Sequence, residues 1–213
     1  MSLPLSAETV RDVVIVHGIL DTSWTMRNLD RALTEAGFRT HVVNLVPNDG
    51  SAPLPTLAEQ VHAKVHASVP TDLRFSLVGF SMGGLIARHY AQRIADPTRI
   101  DALVTIASPH RGTWLAWFLP LPGVQQMRPG SAFLRDLDAD IADFQHIRWI
   151  TIRTPIDLMI IPSTSSKLPW AENSTYPVLA HPLLVFDRRV IDRTVEALKN
   201  DQPASSDTLD DDR

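Results

Sequence analysis

Short apolar runs rich in β-branched residues recur along this chain, each separated from the next by a longer stretch of helical periodicity. That alternation limits the possible folds more than any other feature. Residues 13–16, 41–46, 73–78, 102–107 and 147–152 predict strands, and residues 24–36, 57–68 and 81–95 predict helices. Leu29, Leu33 and Ala36 mark the buried stripe of the first helix; Leu85, Ile86 and Tyr90 mark that of the third. Strands that alternate with helices in this way build a mainly parallel sheet covered on both faces.

With 44% hydrophobic residues in 213, the chain has material for one substantial core, so a single domain over residues 1–200 is expected. The rhythm breaks at 108–146, where Pro109, Pro120, Pro122, Gly123, Pro129 and Gly130 exclude one continuous helix and predict a looped, cap-like insertion. A second irregular stretch, 163–177, leads to a short strand expected at 178–180 and a final helix at 183–198. Residues 201–213 are rich in Ser and Asp and are expected to be disordered.

The formal charge of −4 resides in that tail, where five aspartates face Arg213, and residues 1–200 balance at zero. A neutral body gives no basic face to displace counterions from phosphates, so nucleic acid is not an expected partner. Without cysteine there are no disulfides, thiolate chemistry or cysteine-held metals. The histidines are not grouped at ligand spacing, so neither a metal nor another cofactor is expected. The amino-terminal segment lacks the charged start and apolar core of a secretory signal, and no apolar run is long enough to cross a bilayer. A soluble, cytoplasmic protein is expected. Oligomeric state is not readable from the sequence.

In open parallel sheets, ligands sit beyond the carboxyl ends of the strands. After the third run comes Gly79-Phe-Ser-Met-Gly83, followed by Gly84 and a helix. Gly-x-Ser-x-Gly between strand and helix is the signature of a nucleophile elbow: the turn is so sharp that side chains at its glycines would strike backbone, while the serine is left presented. Ser81 is therefore a candidate nucleophile, the alternative being a turn residue that caps the helix.

A serine hydroxyl needs a base to take its proton and a carboxylate to orient that base. Of eight histidines, His41 falls in a strand and His62, His66 and His89 fall on helices. His17 and His110 precede the candidate acid, and His146 opens a strand. His181, in a loop before the last helix, is the candidate base. Asp157, after the fifth strand and among apolar neighbours, is the candidate acid, with Glu172 as second choice. Asp136, Asp138, Asp140 and Asp143 read as a solvated face. Two backbone donors should hold an oxyanion. Met82 N–H follows the nucleophile, and Ile19 or Leu20 N–H follows the turn at Gly18.

These residues together resemble the α/β-hydrolase superfamily, and within it small bacterial lipases and esterases of the triacylglycerol lipase type. The resemblance rests on His17-Gly-Ile19, Gly79-Phe-Ser-Met-Gly-Gly84, Ser108-Pro-His-Arg-Gly-Thr113, Met127-Arg-Pro-Gly-Ser-Ala-Phe-Leu134, Asp157 and His181-Pro-Leu-Leu184. It implies a minimal α/β-hydrolase fold with about six strands. It also implies a Ser81–Asp157–His181 triad, an oxyanion hole at Ile19 and Met82, and a small-molecule ester as substrate. The uncharged stretch 114–124 would supply an acyl-binding wall or a surface in transient contact with lipid, the alternative being that it packs over the sheet end as ordinary core. Leu20, Trp114, Trp117 and Phe118 are its candidate substrate contacts. Acyl transfer, amide cleavage or a binding module on the same scaffold are the alternatives.

Overall fold

The computed structural model describes residues 10–200; the acidic segment 201–213, expected to be disordered, lies outside them. Six strands form one sheet, β1 (Asp12–Val16), β2 (Arg39–Val43), β3 (Phe75–Phe80), β4 (Ile100–Ile106), β5 (Arg148–Arg153) and β6 (Glu172–Thr175). The order is β2-β1-β3-β4-β5-β6, and every pair is parallel. The central strands are buried on both faces, which is why they read as unbroken apolar runs rather than alternating ones. On β1, Val14 and Val16 enter one core with α2 (Leu54–Ser68) and α3 (Met82–Arg93). Val13 and Ile15 enter the other, with α1 (Arg27–Glu35) and α6 (Arg188–Lys199). Among the described residues, no helix is long and apolar enough to cross a membrane.

From β1 the chain steps to β2 on one side and then to β3 on the other, so the winding direction reverses between β1 and β3. Loops leaving two such strands diverge and open a crevice at the sheet's carboxyl edge, the usual ligand position in open α/β sheets. The loop after β1 holds Ile19, and the turn after β3 holds Ser81.

Three sequence expectations are corrected. The last strand is the polar Glu172–Thr175, not 178–180: as an edge strand it needs only the backbone of β5 and the bond from Thr151 Oγ1 to Asn173 Oδ1. The final helix begins at Arg188 behind Asp187, whose carboxylate accepts from Arg189 N–H, while His181–Val185 forms a separate 3-10 turn. The acids of the insertion are not simply solvated. Asp138 pairs with the fully buried Arg88, and Asp136 and Asp140 with Arg93, tying α5 (Ala132–Ala139), which follows the short α4 (Pro122–Gln126), to α3.

Candidate active site

Ser81 stands at the β3–α3 junction with φ 54° and ψ −125°, a left-handed conformation that a residue with a Cβ adopts at a cost of about 1–3 kcal/mol. The packing around the turn is close enough to exclude a side chain at either flanking glycine. A side chain on Gly79 would come within 2.6 Å of Gly84 N, and one on Gly83 within 2.8 Å of the Val16 carbonyl carbon. Ser81 N–H donates to the Ile106 carbonyl at 2.8 Å, pinning the turn to the end of β4. Ser81 occupies the cap position of α3, but its hydroxyl bonds none of the helix's N–H groups. The capping alternative therefore does not describe it.

Asp157 and His181 meet. His181 Nδ1–H donates to Asp157 Oδ2 at 2.8 Å, and Asp157 Oδ1 accepts from Met159 N–H and Ile160 N–H, each at 2.9 Å. The carboxylate is thus fixed from both sides. With its proton on Nδ1, the imidazole keeps the lone pair on Nε2, which is buried and has no hydrogen-bond partner among the described residues. The ring packs on Phe80, immediately before Ser81, with centroids 5.0 Å apart. Glu172 lies elsewhere. At the start of β6 it bridges Arg148 and Arg193, and its hydrogen bond from Arg148 helps to hold its pKa below the usual carboxylate value.

Three polar residues that sequence reasoning passed over hold the loops. Thr154 Oγ1 donates to Val178 O at 2.7 Å and accepts from Val178 N–H, joining the loop of Asp157 to the segment before His181. Asn48 grips the loop after β1: its carbonyl accepts from Leu20 N–H at 2.7 Å, and its side-chain amide donates to Asp21 O. Thr113 Oγ1 donates to Met159 O and accepts from Ile161 N–H, fastening the insertion to the Asp157 loop.

With Leu20 N–H committed to Asn48, Ile19 N–H is the donor left in that loop; it has no backbone acceptor among the described residues. Met82 N–H belongs to the first turn of α3, where N–H groups lack helical acceptors and the helix end favours negative charge. His17 braces the same region. Its Nδ1–H donates to Gly18 O at 2.9 Å and its Nε2 accepts from Leu45 N–H at 3.0 Å, while burial lowers its pKa and keeps it neutral. His110 is fully buried, bonds Thr105 Oγ1, and is likewise depressed by burial.

The insertion packs as core from Val124 onward, with Val124, Met127, Phe133, Leu134, Leu137 and Phe144 buried, but residues 114–119 do not. Ala116 is buried, but Trp114, Leu115, Trp117, Phe118 and Leu119 are exposed, Phe118 by 79%, and the Arg128 guanidinium lies 4.6 Å over the Trp117 ring. Leu20 is also exposed. A surface cavity of about 490 Å³ lies at the other end of the sheet, lined by His146, Arg148, Trp149, Trp170 and Glu172, away from Ser81.

A parallel sheet with a strained serine at the strand–helix turn and a buried acid–imidazole pair beside it defines a class, the hydrolase-type α/β fold. The chain matches the sequence profile of the alpha/beta hydrolase fold family over residues 13–151 and belongs to that family. It is 30% identical over 119 residues to the human lysosomal thioesterase PPT2, and 29% to the bovine protein; in each case the match covers 52% of this chain and 39% of the relative. The match thus spans about two-fifths of those proteins' length.

Among solved structures, Aspergillus fumigatus lipase B superposes with TM-score 0.76 at 19% identity, covering 94% of this chain and 55% of the lipase. The mature Bacillus licheniformis lipase BlEst2 gives 0.64 at 15% identity, over 92% and 96%. Polyneuridine aldehyde esterase gives 0.62 at 16%, over 90% and 100%. At such identities these likenesses speak for the fold.

Proposed function

We propose that the protein is a serine hydrolase that cleaves carboxylic esters through an acyl-enzyme intermediate. The observation that carries this reading is the buried Asp157–His181 pair, with Nε2 unpartnered and its ring packed on Phe80, the residue before an elbow serine held at positive φ. In the first step His181 Nε2 takes the Ser81 hydroxyl proton as the oxygen attacks the ester carbonyl. The Ile19 and Met82 N–H groups hold the resulting oxyanion, and His181 returns the proton to the departing alcohol. Water then repeats the attack on the acyl-enzyme, releasing the acid and restoring Ser81. Asp157 keeps the imidazole in the tautomer this needs. Leu20, Trp114, Trp117 and Phe118 would contact the apolar part of the substrate and, transiently, a lipid surface.

A thioester is the second reading, favoured by the identity with a protein named as a thioesterase. Its chemistry follows the same steps, with a thiolate as leaving group. The expected result is covalent labelling of Ser81 by a fluorophosphonate and hydrolysis of a short-chain nitrophenyl ester by the wild type. Ser81→Ala should fold normally and lose turnover by several orders of magnitude. Undiminished hydrolysis by that variant would overturn the proposal. Comparing an oxygen ester with a thioester of the same acyl chain decides between the two readings.

A further inference from the structure

Asp21 lies against the nucleophile position and takes no part in the steps above. A methyl group at Gly18 would meet Asp21 Oδ2 at 2.7 Å and Ser81 Cβ at 3.0 Å, so the carboxylate and the serine flank one point. The carboxylate is held there by its loop. Leu20 takes a left-handed φ of 59°, Asp21 N–H turns back to Gly18 O, and Asn48 fastens Leu20 N–H and Asp21 O.

No arginine or lysine forms an ion pair with Asp21 among the described residues. The charged or titratable groups it faces are the imidazoles of His17 and His181; the first is buried and bonded to backbone, and the second is already paired with Asp157. Burial raises the Asp21 pKa, and Thr25 and the two imidazoles counter part of that rise.

A negative charge that is partly desolvated and lacks a fixed counter-charge acts over several ångströms on whatever enters beside it. We propose that Asp21 selects substrates by charge, disfavouring esters that carry an anionic group near the scissile carbonyl and admitting uncharged ones. The inference rests on the ester reading above and adds a rule to it. The Asp21 variants isolate this local charge, because they leave the −4 of residues 201–213 unchanged.

The test compares kcat/KM for para-nitrophenyl pentanoate with that for mono(para-nitrophenyl) glutarate, which has the same acyl length but ends in a carboxylate. Background rates come from Ser81→Ala. The wild type should prefer the pentanoate. Asp21→Asn and Asp21→Ser should raise the glutarate-to-pentanoate ratio about fivefold, the order expected when one partly screened charge is removed at such range. Two variants are used so that one with poor folding by circular dichroism does not decide the matter. A wild type that cleaves both esters equally well overturns the inference without any variant, as does an unchanged ratio in a folded variant; both leave the ester reading standing. A wild type that cleaves neither ester and takes no fluorophosphonate overturns the ester reading, and this inference with it.

Discussion

Two structures meet at the carboxyl end of the sheet and are built in opposite ways. The loops of Asp157 and His181 are closed: both side chains are nearly inaccessible, the carboxylate has three donors, and Thr154 bonds one loop to the other. The middle of the insertion is open, with Trp114, Trp117 and Phe118 each more than half exposed. The contrast separates two demands. Groups that move a proton must be held to a fraction of an ångström, which burial and saturated hydrogen bonding achieve. Side chains that meet apolar substrates need only area, and fixing them in the core would remove it.

Replacing a member of the closed region should have the largest effect. Asp157→Asn keeps the shape but no longer favours the Nδ1–H tautomer of His181, and is expected to lower kcat by about four orders of magnitude with an unaltered circular dichroism spectrum. A fall of only a few-fold would mean that the pair is structural. Thr154→Val comes next, since it removes the hydroxyl donor of the Val178 carbonyl and leaves Val178 N–H with only the Tyr176 carbonyl. About 1–3 kcal/mol of stability should be lost, seen as a drop of several degrees in Tm, with a fall in kcat beyond any change in KM. Phe118→Ser should do least to the fold, shifting stability by under about 0.5 kcal/mol. Its effect should appear as a higher KM that grows with acyl length. An equal change for all acyl lengths would place Phe118 outside the substrate path and dissolve the contrast.

What was legible in the sequence followed from local rules. The elbow could be read because a buried strand, two glycines with no room for a Cβ and a helix start all lie within ten residues. Chain order singles out Asp157 and His181 among the acids and histidines, and the two are hydrogen-bonded in the structure. What stayed hidden depends on partners far along the chain. Glu172–Thr175 has no apolar pattern, and its backbone pairing with β5, with side-chain bonds from Thr151, Arg148 and Arg193, makes it a strand. Asp136, Asp138 and Asp140 look like surface acids until Arg88 and Arg93, more than forty residues earlier, are brought against them. Asn48, Thr113 and Thr154 act through backbone groups of distant loops, and a polar side chain that bonds backbone leaves no pattern in the sequence.

The insertion has another property, visible in where it is fastened. Thr113 holds its start, Gly123 N–H donates to Gly50 O at 2.9 Å, and the Arg88 and Arg93 clamp holds α5. Residues 114–121 run between the first two of these anchors, tied by Trp114 N–H to Ile161 O and by the Arg128 guanidinium to the Ala116 and Leu119 carbonyls, and lend only Ala116 to the buried core. That stretch is a candidate cassette: exchanging its exposed side chains should leave the elbow and the acid–imidazole pair in place, so a set of variants that differ in the apolar area they present can be compared on one unaltered framework.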